Sequence, residues 1–124
     1  GVFFTDANTS KPTFANHLLA LNAATDIQAL VNDSPLQQYE VRSNNAGASA
    51  QADVGATADI AYTAGDTSNF VSRCTLDDAT INVAVQQLKI IGVSRDPENN
   101  DLTAANVVWR VIVNQSAFDD TSGV

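Results

Sequence analysis

The stretch Val107-Val108-Trp109-Arg110-Val111-Ile112-Val113 constrains this chain more than any other. Five of its seven residues are β-branched, and such side chains are stiff at χ1 and suit a pleated surface. Successive side chains of a strand point to opposite faces. With Arg110 turned to solvent or a partner, Val107, Trp109, Val111 and Val113 point inward. Val108 and Ile112 share the face of Arg110, so that face is expected to be partly covered as well.

The same period of two recurs. Tyr39 and Val41 alternate with Gln38, Glu40 and Arg42, and Ile81, Val83 and Val85 alternate with Asn82, Ala84 and Gln86. Gln86-Gln87 shifts the phase before Leu88, Ile90 and Gly92 resume it, as a bulge or turn would. A further strand is expected at about Phe70 to Leu76, and Val2 to Thr5 reads as an edge strand. Between these runs lie turn-forming clusters, among them Asp6 to Ser10, Asn32 to Pro35, Ser43 to Gly47, Ala64 to Asp66 and Asp96 to Asp101. Only Ala15 to Leu21 or Asp26 to Val31 has the pattern of a helical turn or two. The pattern predicts an all-β chain: a single antiparallel β-barrel or β-sandwich domain with at most one short helix. It covers residues 1–124, with 1–5 as an edge strand or arm and 117–124 as a flexible tail. Tyr39, Val41, Val83, Leu88, Ile90, Trp109 and Val111 are expected in one core.

Charge narrows the partners. Fourteen acidic residues stand against six basic ones, for a net charge of −8. Lys11, Arg42, Arg73, Lys89, Arg95 and Arg110 are scattered, whereas nucleic-acid binding draws on clustered cations that displace counterions from phosphates. No nucleic-acid partner and no membrane partner are expected, and no window approaches the roughly 18 apolar residues of a membrane span. With no methionine in 124 residues, a processed or partly represented polypeptide is expected.

Catalytic chemistry finds little purchase. His17 is the sole histidine, which leaves almost no room for a Ser-His-Asp arrangement or a histidine metal site. Cys74 stands alone, so no intrachain disulfide can form, and a small buried hydrophobe is its plainest role. Asp77-Asp78 and Asp119-Asp120 are sequence neighbours, which a strand turns to opposite faces, so they suit turns better than a shared pocket. Asp96 to Asp101 offers the one passable calcium pattern, yet Asp101 and Val107 stand where an EF-hand loop needs Gly and Glu. The expectation is therefore no catalytic residues, no cofactor, no metal and no enzymatic activity.

Several pieces, in order, resemble small virion proteins of tailed bacteriophages. Gly1-Val2-Phe3 with Pro12-Thr13-Phe14 matches an opening "G-V-F … P-x-F". Asn32-Asp33-Ser34-Pro35 before Tyr39-Glu40-Val41, Val54-Gly55-Ala56-Thr57-Ala58-Asp59, and Leu76-Asp77 follow in the same order. Leu88-Lys89-Ile90-Ile91-Gly92-Val93-Ser94-Arg95 and Val111-Ile112-Val113-Asn114 resemble the closing pair of strands. Asn100-Asp101 and Gln115-Ser116 depart from the Gly and His that such proteins often carry at those points.

What the resemblance implies is a capsid decoration, or cement, protein on the outer surface of the virion head. Its partners would be the major capsid protein and further copies of itself in a homo-oligomer, with a trimer as the form expected. Another extracellular β-module is the alternative: a tail or fibre component, a pilus subunit or a carbohydrate-binding domain. Val2, Phe3 and Phe4 are the candidate partner-binding residues, expected to hook a neighbour by strand addition, although the two aromatics would serve equally to close the chain's own core.

Overall fold

The computed structural model of the chain describes residues 1–18 and 22–115. Among them are eight strands, one 3₁₀ turn and no α-helix. The all-β, antiparallel expectation holds, and the helical turns considered at Asp26 to Val31 do not form. Contacts gather the chain into two compact units where the sequence reading drew one domain: residues 1–32 with 66–71, and 33–65 with 72–124. The first unit takes a second piece of chain because the His17 and Phe70 rings stack, with centroids 3.6 Å apart.

The first unit is a three-stranded sheet in the order β2 (Pro12–Ala15), β1 (Val2–Thr5), β3 (Gln28–Ala29). Strand β1 is therefore the middle strand, not an edge. Its four residues pair with Ala15, Phe14, Thr13 and Pro12 on one side, and Val2 and Phe3 pair with Ala29 and Gln28 on the other. The physical reason is a turn and a carboxylate. Asp6 Oδ1 accepts the amides of Asn8 and Thr9 at 2.7 and 2.9 Å, folding β2 back along β1. Asp26 then accepts Thr5 N at 2.9 Å and the Thr5 hydroxyl at 2.6 Å, and Leu30 N donates to Gly1 O.

The second unit is a five-stranded sheet in the order β4 (Gln38–Arg42), β8 (Val108–Val113), β7 (Leu88–Val93), β5 (Thr57–Ala61), β6 (Thr75–Asn82), with antiparallel neighbours throughout. Ala58, Leu76, Leu88, Ile90, Val107, Trp109 and Val111 form its buried core, and Val41, Val54, Ile81, Val93 and Leu102 pack against them. Trp109 is fully buried, as the phase set by Arg110 requires. The sheet curls until its two edge strands meet at one end, where Ser43 bridges Leu76 in parallel and Asn44 N donates to Leu76 O at 2.9 Å. Below that bridge β4 and β6 diverge. Neither sheet closes into a barrel.

Three sequence expectations need correction. Val83 is 98% exposed and Val85 is also exposed, because β6 ends at Asn82. The Asn82 side chain accepts Ala84 N at 2.5 Å, and this local turn overrides the alternation that ran on to Val85. The strand expected at Phe70 to Leu76 begins only at Thr75, since residues through Phe70 and Val71 belong to the first unit. Tyr39 sits at the rim of a cleft, not in the core. Leu21, in the other helical alternative, and the tail 117–124 lie outside the described residues.

Candidate partner-binding surfaces

The three residues proposed from sequence fall on two faces of one sheet. Strand alternation turns Phe4 to the face where it is 4% exposed, while Phe3 on the opposite face is 41% exposed and Val2 is half-buried. Phe4 therefore serves the protein's own packing. Strand addition along β1 is blocked, because both of its sides already carry hydrogen-bonded partners.

Phe3 does have company. Its cross-strand partner Phe14 is 65% exposed, and Leu30, exposed, follows β3 on the same face opposite Gly1. The Phe14 ring lies over Gly1, where a Cβ would strike it. Leu30, the Phe14 ring and Phe3 thus form an apolar strip across three strands. Leu30 was not foreseen from sequence, because only the pairing of β3 with β1 brings it there. Phe14 had a signal in the Pro12-Thr13-Phe14 motif, but its exposure depends on the register.

The second surface is the cleft where β4 and β6 diverge. It holds about 280 Å³ and is lined by Tyr39, Val41, Ile60, Leu88, Val111 and Val113, with Glu40 and Cys74 at its margin. All six apolar residues point to the concave face of the curled sheet by strand parity. Hydrogen bonding to the Ser72 hydroxyl and to the Thr63 backbone lowers the Cys74 thiol from its ordinary range. The cleft exists because the Ser43–Leu76 bridge closes only one end of the sheet, so the core runs out to solvent at the other.

The described residues weighed for chemistry make local contacts. His17 Nδ1 lies 2.5 Å from Asn16 Oδ1, and its ring stacks on Phe70. Asp77 Oδ1 accepts Asn44 Nδ2 at 3.1 Å and Asp78 Oδ1 accepts Gly47 N at 2.6 Å, so the pair fastens the loop after β4. In the loop from β7 to β8, the Asn99 side chain bonds Val108 N and O at 2.9 and 2.8 Å. Asp101 Oδ1 accepts the Thr103 amide and hydroxyl, which lowers its pKa, the hydroxyl bond contributing most. Among the described residues no three His, Cys, Asp or Glu side chains group as metal ligands, and no helix is long and apolar enough to cross a membrane.

No family model matches the chain, and no curated protein or solved structure matches it either.

Proposed function

We propose that the protein is a capsid decoration protein, which binds the outside of a tailed-phage head and stabilises it, and that it docks through the first unit's apolar strip. The strip carries the reading: Phe3 and Phe14 sit side by side, exposed, on a sheet whose backbone bonds already hold them in place. Rigid, solvent-facing aromatics lose little freedom on binding and supply much of an interface's energy. Weak contacts of this kind, repeated at closely spaced sites on a shell, add up through effective concentration. The collinear sequence resemblance supplies the identity of the shell, with the major capsid protein and sister copies as partners.

Co-sedimentation of purified protein with undecorated heads tests the reading. Wild type is expected to pellet with the heads, and a Phe3→Ser, Phe14→Ser double variant to lose about 2–4 kcal/mol of binding per site. Heads lacking the protein should lose resistance to heat while keeping their geometry. Undiminished binding by the double variant removes the strip from the interface. Failure of wild type to bind any head removes decoration and favours another extracellular β-module.

A further inference from the structure

A sheet edge presents unpaired backbone groups, a ready template for another strand. Among the described residues the two sheets have four edges, and three of them are guarded. Strand β2 opens with Pro12, which has no amide to offer, and β3 is two residues long. On β6, Asn44 bonds Leu76 O and Asp78 N, and Gln86 Nε2 donates to Thr80 O. Strand β4 is different: its five residues are exposed or half-buried, with no proline, lysine or bulge among them. Two bonds fix which way its backbone groups point. Ser43 N donates to Val107 O on the β8 side, whereas Asn44 N donates away from β8 to Leu76 O. By alternation the amides and carbonyls of Gln38, Glu40 and Arg42 face away from β8 as well. At Arg42 that side meets β6 beside the Ser43–Leu76 bridge, but at Gln38 and Glu40 it looks into the gap where the two strands part. Among the described residues, the bond given to that stretch of edge is Gln37 Nε2 to Gln38 O at 2.8 Å.

We propose that β4 pairs with β4 of a second copy, antiparallel about a two-fold axis, joining two five-stranded sheets edge to edge. Such a pair is self-complementary, and charge selects its register. Centred on Glu40, the pairing would set two Glu40 carboxylates directly opposite each other, which is unfavourable. Centred on Val41, it would need the side of Arg42 that β6 occupies. Centred on Tyr39, it sets Gln38 opposite Glu40 twice, and the hydrogen bonds of those two pairs use the groups that face the gap. The Gln38 side-chain amide then donates to the partner's Glu40 carboxylate, which is held in place because its Oε1 accepts the Ser94 hydroxyl at 2.8 Å. Tyr39 lies on the other face, at the rim of the cleft. The two Tyr39 rings therefore meet at the axis, and each lengthens the apolar wall of the neighbouring cleft. This deepens the decoration reading, since it names the surface that sister copies share.

Sedimentation equilibrium of the purified chain, over about a hundredfold range of concentration, reads the pairing as a monomer–dimer equilibrium. Gln38→Glu should weaken the dimer and Gln38→Lys strengthen it, each by about two- to thirtyfold for the two symmetric pairs. Gln38 is exposed, and far-UV circular dichroism checks that both variants keep the β fold. Crosslinking in a Cys74→Ser background reads the register separately. Non-hydrogen-bonded partners of an antiparallel pair have Cα atoms about 4.5 Å apart, within disulfide reach. Tyr39→Cys should therefore join two copies under mild oxidation, and Arg42→Cys should not. A monomer at every concentration overturns the proposal, as does a dimer indifferent to both charges at Gln38. A trimer overturns it too, because a two-fold edge pair cannot build one. Crosslinking through Arg42→Cys and not Tyr39→Cys moves the axis and overturns the proposed pairing. Heads play no part in either readout, so failure here leaves head binding standing, and failure of head binding leaves the pair standing.

Discussion

Individual polar side chains do much of the fastening in this protein. Asn99 takes the place of a strand neighbour from within a loop, accepting the Val108 amide and adding a second donor to the Val108 carbonyl, which also accepts Ser94 N. Truncation takes the acceptor from the partly buried Val108 amide, so Asn99→Ala should lower unfolding free energy by about 1–3 kcal/mol. Urea unfolding followed by the fluorescence of Trp109, the single tryptophan, measures this. Asp26 acts by charge as well as geometry. The Thr5 hydroxyl, and then the Thr5 amide, hold its carboxyl below the ordinary carboxylate pKa. A carboxylate with a depressed folded pKa contributes stability above its unfolded value, near 3.9, and loses it as pH falls through the folded value. Exchange protection of the Thr5 amide should accordingly persist at neutral pH and fade on acidification below about pH 4. In Asp26→Asn that pH dependence should disappear, and a profile identical to wild type would show that another group governs it.

At the level of the element, the end of β6 separates two residues that look alike in sequence. Ile81 packs against the core while Val83 is in water. Ile81→Ala should therefore cost about 1–3 kcal/mol, whereas Val83→Ala should stay within about 0.5 kcal/mol of wild type. Comparable losses at the two positions, measured by urea unfolding, would mean that β6 continues to Val85. The same contrast holds across β1. Phe4→Ala removes a buried ring and should destabilise by about 3–5 kcal/mol, while Phe3→Ala should leave stability nearly unchanged and act on partner binding.

For the whole molecule, the excess of acidic residues sets behaviour in solution. The pI is about 4.1, so repulsion between copies vanishes near that pH, while the Asp26 contact with Thr5, whose carboxyl titrates below the ordinary carboxylate range, is still in place. With Phe14, Leu30 and Val31 exposed, turbidity should peak near pH 4 and clear on return to neutral pH. A Phe3→Ser, Phe14→Ser variant should show a smaller peak, because an exposed apolar strip is what discharged copies share.

The sequence by itself determined the local physics. Alternation of β-branched and polar residues makes strands of β4, β7 and β8, and a single charge at Arg110 sets the phase that buries Trp109 and Val111. The polar clusters mark where the chain turns. Other features belong to the tertiary structure. That β1 lies between two partners depends on a contact between Thr5 and Asp26, 21 residues apart, and no local pattern encodes it. That Val83 is outside follows from a side chain closing a turn at Asn82, a competition in which alternation and turn chemistry predict opposite faces. Which of Phe3 and Phe4 faces solvent depends on register, since a shift of one residue exchanges the faces. The cleft is the least legible feature of all. It is the gap left where β4 and β6, distant in sequence, meet at Ser43 and Leu76 and then part, and only the curl of the assembled sheet decides where they do so.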